Sequence, residues 1–385
     1  MAPPTSDIAD ALAHVPAAAT GAVVVDLAAL ERNWRALAGA VAPALAAAVV
    51  KADAYGLGAE AVVPALARAG CTVYFVATLA EARQVLALAP TATVLVLDGL
   101  MPGAAAAYAE CGAWPVLSSL PEIVEWSGFA RATGRRLACA MHVDSGLNRL
   151  GLDAREVQAL ARDMHLIDPL DVRLVMSHLA CADEVAHAKN GQQLAVLERL
   201  LPLLPSVPVS LAASDGLLLG AAYHFDMARP GYALYGGQAS PSRHAPVEPV
   251  VSVHARVVQV REVAPGQSVG YAATWTARRL SRIAVIAAGY ADGLPRQMSA
   301  ADGEAGGSVA FGGVLAPIVG RVSMDLVTAD VTDLGDLSIA RGTWAELIGP
   351  AISLEAAGAA AGTIGYEILT RLPRRFHRVY RGTGP

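Results

Sequence analysis

The chain has 385 residues, 54% of them hydrophobic and 16% charged, with a formal net charge of −5. That length exceeds one ordinary domain and suits a barrel plus a second domain. A charge-poor, slightly acidic chain offers no basic face for a phosphate backbone, which argues against a nucleic-acid partner. The four cysteines, Cys71, Cys111, Cys139 and Cys181, are scattered without a C-x-x-C pair, so neither a structural zinc site nor a disulfide framework is expected, and no metal is assigned. The opening MAPPTSDIADALAHVPAAATG lacks the basic and continuous apolar regions of a signal peptide. No breaker-free apolar run is long enough to span a membrane. A soluble cytoplasmic protein is the expectation.

Residues 1–22 read as a flexible N-terminal segment. Residues 23–25 form a short apolar strand, and Asp26 is placed to cap a helix running to about residue 41. Apolar runs then alternate with segments of helical periodicity. The runs are 46–50, 73–77, 93–97, 114–117, 137–143, 172–177, 207–212 and 223–228, and the helical segments include 59–69, 79–89, 121–133, 155–164, 192–204 and 216–220. Eight strands alternating with helices predict an α/β chain with an N-terminal (β/α)8 barrel over residues 23–240. A doubly wound open sheet is the competing reading, but its glycine fingerprint is missing from the first strand–helix turn. The Pro- and Ser-rich stretch 240–249 reads as a linker. Beyond it VSVHARVVQV, SRIAVIAAGY, GSVAFGG, LAPIVGRV and DLVTADVT alternate with Gly, Pro and Asp turns, which predicts a C-terminal β-rich domain over residues 241–385 with one helix near 353–361.

Of the 29 basic residues only Lys51 and Lys189 are lysines. Where arginine replaces lysine almost everywhere, a surviving lysine marks a place where arginine cannot serve, because a guanidinium stays protonated and is no amine nucleophile. Lys189 sits in the polar stretch AHAKNGQQ and reads as a solvated surface residue, whereas Lys51 ends an apolar run. On the predicted barrel Lys51 closes strand one, His142 and Asp144 strand five with Arg149 just after, and His178 strand six. Ser214 follows strand seven, and Arg229 closes strand eight with Gly231 beyond. All fall at the C-terminal ends of strands, the rim that carries active sites in this fold. SDG at Ser214–Gly216 and RPGY at Arg229–Tyr232 offer a hydroxyl and amides at the phosphate corner of such a barrel. A lysine on strand one opposite that corner makes a workable cradle for pyridoxal 5'-phosphate (PLP).

The chain resembles the alanine racemase family of fold III PLP enzymes. The resemblance runs from about Val23 to Tyr380. It rests on AVVKADAYGLGA (48–59), VATLAEA (76–82), HVDSGLNRLGL (142–152), SHLACADE (177–184), ARPGYALYG (228–236), VGYAATW (269–275), AAGYADGLPR (287–296), GRVSMD (320–325) and TIGYEIL (363–369). The resemblance implies that Lys51 carries the cofactor covalently, that Tyr55, Ser214, Gly231, Tyr232 and Tyr366 hold the phosphate, and that Arg229 faces the pyridine nitrogen. It implies two bases, Lys51 and Tyr271, one on each face of the substrate α-carbon, with His178 beside the cofactor as the neighbour that supports the tyrosine. Arg149 and the backbone at Met324 would receive the substrate carboxylate, and Tyr290 would narrow the entrance. It further implies a homodimer whose active sites are each completed by residues of both subunits.

Four positions depart from the family pattern. His142 stands where many members carry a carbamylated lysine, so no carbamate can form there; either His142, a bound anion or a water takes over, or the histidine is a satisfied core residue. Ala213 replaces a usual asparagine, Ser323 a common cysteine, and Ser210 a histidine that often supports the pyridine-facing arginine. The rival readings are a fold III decarboxylase, a racemase of serine or of several amino acids, and a non-catalytic PLP-binding protein; the VGY and GYADG pairing on the second domain argues against the first and last. The alanine reading implies D-alanine for cell-wall peptidoglycan, or the reverse flux in D-alanine catabolism.

Overall fold

Short apolar runs buried on both faces are what parallel strands require, and the computed structural model, which describes residues 5–382, uses them so. The chain divides into two units, one of Leu30–Leu234 with Gln238–Val247, the other of Tyr235–Gly237 and Glu248–Pro385 with the segment that ends at Ala29. Residues 1–4 and 383–385 of the sequence-derived domain spans lie outside the described residues.

In the first unit, strands Ala48–Val49, Val73–Val76, Thr93–Val96, Trp114–Leu117, Leu137–His142, Leu170–Met176 and Val209–Ser210 lie side by side, all parallel and in chain order. An eighth, Met227–Ala228, pairs in parallel with Leu45–Ala46. The amides of Ala47 and Val49 continue that ladder onto Ala228 and Pro230, while the Arg229 amide donates to Ala212 across an isolated bridge between Ala213 and Arg229. Strand one is therefore shared between strands two and eight, and the ring closes as a (β/α)8 barrel. Two of the helices that follow barrel strands start where they do because their caps are encoded. Thr78 and Glu81 form a reciprocal capping box on Leu79–Leu88, and Asp153 with Glu156 does the same for Ala154–Arg162. The first of these turns spans only Ala77 and Thr78 and keeps that part of the C-terminal rim compact.

The second unit is built around one long strand, Val251–Val263, which pairs antiparallel with Gly21–Asp26, Ser281–Ile286 and Trp344–Ile348. Strand Gly21–Asp26 is flanked on its other edge, in parallel, by His377–Arg381. The strand read from residues 23–25 exists, but it belongs to this β-rich sheet and not to the barrel. A short apolar strand does not say which sheet it completes; its pairing partners lie more than 200 positions away. Likewise Gln238–Val247 goes with the barrel unit, whereas the sequence placed the change of domain at 240/241. Nor does the N-terminal segment match the flexible reading. Thr5–Ala13 is helical, and Ile8, Ala11, Leu12 and Val15 are buried against Ala22 and Val24. Their i, i+3, i+4, i+7 spacing is the helical signature that composition alone concealed. Among the described residues no helix is long and apolar enough to cross a membrane.

Because Leu12 packs at the margin of its cluster, Leu12→Ala is expected to cost about 2–3 kcal/mol, the lower part of the range for buried leucines. Urea denaturation measures this, and a loss below about 0.5 kcal/mol, the scale of an ordinary surface substitution, would mean that the segment is not part of the core.

Candidate active site

The barrel unit brings Lys51, His142, His178 and Arg229 to one rim. Lys51 follows strand one after the single residue Val50, and the four residues after it, Ala52, Asp53, Ala54 and Tyr55, all have φ near +55°. This is a turn of left-handed helix made without glycine, a conformation costing about 1–2 kcal/mol per residue, and it persists only because its surroundings over-determine it. Inside the turn, Ala54 N donates to Val50 O and Gly56 N to Ala52 O. At its ends, Ala59 N donates to Asp53 Oδ1 (2.7 Å) and Ala52 N to Glu81 Oε1 (2.7 Å). The turn delivers the Tyr55 hydroxyl against Gly231, so closely that a Cβ at 231 would lie 2.4 Å from it. Burial pulls the Lys51 amine below the usual lysine range, helped by the Arg149 charge and opposed by Asp98 and Glu81. The same desolvation pushes the Tyr55 phenol up, so it stays a protonated donor.

Opposite Lys51, Ser214 Oγ accepts from Gly231 N (3.0 Å) and Ala233 N (3.1 Å), tying the loops after strands seven and eight together. With its lone pairs so engaged, that hydroxyl keeps its hydrogen for an acceptor. The Tyr232 ring is in the core. Arg229 is 2% exposed. Its guanidinium donates to Ser177 O (2.7 Å) and to the Ser210 hydroxyl, which in turn donates to Met227 O (2.6 Å), and it lies 3.4 Å from His178 Nδ1. Among the described residues no carboxylate pairs with it; carbonyls and a hydroxyl satisfy a charge that burial lowers only to a pKa of about 10. Burial, with Arg229 next, lowers His178 to about 3 and His142 to about 4, so both imidazoles are neutral. The recorded partner of His142 is Ser118 Oγ at 3.4 Å, not Arg149. Arg149 is exposed, and Asp144 shapes the turn before it by accepting from the amides of Gly146, Leu147 and Asn148.

The rim thus presents an amine of lowered basicity, a buried phenol, an amide-bridging serine and a buried guanidinium. These suit PLP, which needs an amine for its aldehyde, donors for its phosphate and a partner for its ring nitrogen. Sequence reading had left two supports unassigned. Gln193, fully buried, accepts from Ala180 N (2.8 Å) and donates to His178 O (2.9 Å) and Ser145 Oγ (3.3 Å), clamping the loops of strands five and six. Glu81 was visible only as a member of a motif. A buried glutamine on a helix carries no signal of its own in a single sequence.

The remaining site candidates lie on the β-rich unit. Tyr271 is 72% exposed at the start of a tight turn in which Ala272 and Ala273 have positive φ. Tyr290 and Met324, also exposed, sit on two loops laced together by Tyr290 N to Ser323 O and Ala291 N to Met324 O, both 3.0 Å. Gly289 permits that approach, since a Cβ there would lie 2.3 Å from Met324 O. Arg375 binds the two loops further, holding Asp292 through two bonds of 2.9 and 2.8 Å and Asp325 at 2.9 Å. Tyr366 is half-buried on the helix Gly365–Thr370.

A lysine of lowered basicity just after the first strand of a (β/α)8 barrel, with hydroxyl and amide groups gathered on the last two loops, is the arrangement that suits a barrel enzyme of the amine-catalysis class. The family model for the alanine racemase N-terminal domain matches residues 25–239, and that for the C-terminal domain residues 250–380; the chain belongs to the alanine racemase family. It is 47% identical over 358 residues to an alanine racemase of Methylobacterium nodulans, covering 93% of this chain and 95% of that one. It is 44% identical to a catabolic alanine racemase of Agrobacterium fabrum, over 94% and 92% of the two chains. A crystal structure of the Bartonella henselae alanine racemase with covalently bound pyridoxal phosphate superposes with a TM-score of 0.90 at 40% identity, over 94% of this chain and 99% of that one.

The buried neutral histidines carry a pH signature. The unfolded chain takes up protons near pH 6.5, whereas folded His142 refuses one until about 4 and His178 until about 3. Stability is therefore full above 6.5 and falls as the pH drops, by about 1.4 kcal/mol per pH unit for each such group. His142→Asn should make the slope between pH 6 and 4.5 shallower by that amount in denaturant titrations; an unchanged slope would place a charged imidazole at 142.

Proposed function

We propose that this alanine racemase works with two bases, Lys51 from the barrel unit and Tyr271 from the β-rich unit of a partner subunit, one on each face of the substrate α-carbon. The reaction is the interconversion of L- and D-alanine with PLP as cofactor, as membership of the family and its PLP-bearing relative support. The observation that carries the division of labour is the pair of contrasting environments. Lys51 is held at a rigid rim with its basicity lowered by burial, and Tyr271 stands almost fully exposed, without a site of its own.

PLP supplies the electron withdrawal that loosens the α-proton. Lys51, its basicity lowered by burial, accepts or returns that proton on its face, and the Tyr271 hydroxyl serves the other. Tyr55, the Ser214 hydroxyl, the Gly231 and Tyr232 backbone and Tyr366 bind the phosphate. Arg229 would hold the pyridine nitrogen, and its guanidinium, having no proton-accepting atom, would favour an unprotonated ring and so limit side reactions. His178 lies beside the cofactor as a neutral imidazole and supports the tyrosine. Arg149, exposed and cationic, with the backbone at Met324, receives the carboxylate, and Tyr290 narrows the entrance.

Shared sites need a homodimer. Exposed Tyr271, Tyr290, Met324, Leu326 and Ile364 on one unit are the large apolar side chains that a subunit interface covers. The four cysteines are free thiols, which supports a reducing, cytoplasmic location.

Tyr271→Phe is expected to keep the cofactor's absorbance and to lose racemisation about 100- to 10,000-fold, the usual worth of one acid–base group. In D2O it should still exchange the α-proton of the enantiomer that Lys51 serves, without inversion. Racemisation by this variant at the parent rate would refute the two-base reading. Dilution to a sample shown to be monomeric should abolish activity; a fully active monomer would refute the shared site.

A further inference from the structure

We propose that Glu81 is a positioning residue for the cofactor lysine. It acts as a carboxylate strut that holds the left-handed turn after Lys51 and thereby sets the direction of both Lys51 and Tyr55. This rests on Lys51 being the cofactor anchor.

Glu81 lies in the first turn of the helix Leu79–Leu88, after strand two, and its two oxygens divide their work. Oε2 accepts from Ala77 N (2.8 Å) and Thr78 N (3.1 Å), both on the turn that starts its own helix. Oε1 reaches across to Ala52 N (2.7 Å), the residue next to Lys51. One carboxylate thus joins the end of strand two to the backbone that leaves strand one. The contact falls on the first of four residues with positive φ, none of them glycine. At the other end Asp53 Oδ1 holds Ala59 N, and Gly58 N donates to Asp53 O. The turn is pinned at both ends because left-handed backbone made of alanine, aspartate and tyrosine relaxes when released. Relaxation would rotate the Lys51 side chain off the rim and withdraw the Tyr55 hydroxyl from its place against Gly231.

The chemistry also explains a carboxylate rather than an amide. Three N–H donors converge on two oxygens, and a carboxylate accepts at both. Glutamine would turn a donor toward either Ala52 or the Ala77–Thr78 pair, and one contact would be lost. Glu81 plays the ordinary capping part as well, so its role for Lys51 must be separated from its role for the helix. Thr78→Ala makes the separation. It removes the Thr78 Oγ1 contact to Glu81 N (3.3 Å) from the same cap and leaves the Ala52 contact standing.

The test strips the purified full-length variants of PLP with hydroxylamine and titrates PLP back, following the absorbance of the lysine-linked cofactor. Glu81→Ala should weaken PLP affinity tenfold or more and Glu81→Gln at least threefold, while Thr78→Ala stays within twofold of the parent. If Glu81→Ala does not fold, Glu81→Gln carries the test. Parent-like affinity in the foldable Glu81 variants, or an equal loss in Thr78→Ala, would overturn the proposal. Lys51→Ala separates the two readings. If it retains the lysine-linked band, the anchor assignment fails and the strut with it. If it loses the band while Glu81→Ala binds as the parent does, the strut alone fails.

Discussion

The barrel half of the site depends on the hydrogen bonding of strand one. Leu45–Ala46 pairs with the eighth strand and Ala48–Val49 with the second, so five residues close the ring and bring its first and last loops together. Only because of that closure does Tyr55, four residues after Lys51, stand beside Gly231 and the Ser214 bridge. An open sheet would leave strand one away from strand eight and spread the same residues along an edge. The left-handed turn then converts proximity into direction, spending backbone strain to aim a lysine and a tyrosine from one short segment.

A second constraint is electrostatic. Arg229 is buried with no carboxylate partner among the described residues, and its charge bears on the two buried histidines of the rim. With burial it keeps His178 and His142 neutral, and Arg149 adds to the desolvation that lowers Lys51. A buried cation satisfied by neutral acceptors can hold a ring nitrogen without taking a proton from it or giving one up. Ser210, in the place of a common family histidine, fits this pattern. It accepts from Arg229 and passes its own hydrogen to Met227 O, so the support adds no further charge.

Much of this was legible in the sequence, for definite reasons. Lys51 stood out because lysine is nearly absent from the chain, and the strand–helix alternation was strong enough to place it at a barrel rim. Helix 59–69 and the strand at 114–117 were read to the residue, because Gly58 and Gly70 bracket the one and Gly112 with Ala113 precede the other. What escaped notice depends on distant pairing or on side chains that look ordinary. The strand at Gly21–Asp26 joins a sheet whose other members lie beyond residue 250. Gln193 and Glu81 resemble any glutamine or glutamate on a helix until their partners are seen. His142 marks a middle case. Its departure from the family was plain, but its contact with Ser118 joins residues 24 positions apart and exists only in the fold.

The central claim is that Lys51 holds the cofactor. It is tested most directly by reducing the holoenzyme with borohydride, digesting it and locating the PLP-derived label by mass spectrometry. The chain offers only Lys51 and Lys189 as side-chain amines, so the result is decisive. The account requires stoichiometric label on the peptide containing Lys51 and none on Lys189. Label on Lys189, or a fully active holoenzyme with an unlabelled Lys51 peptide, would contradict it.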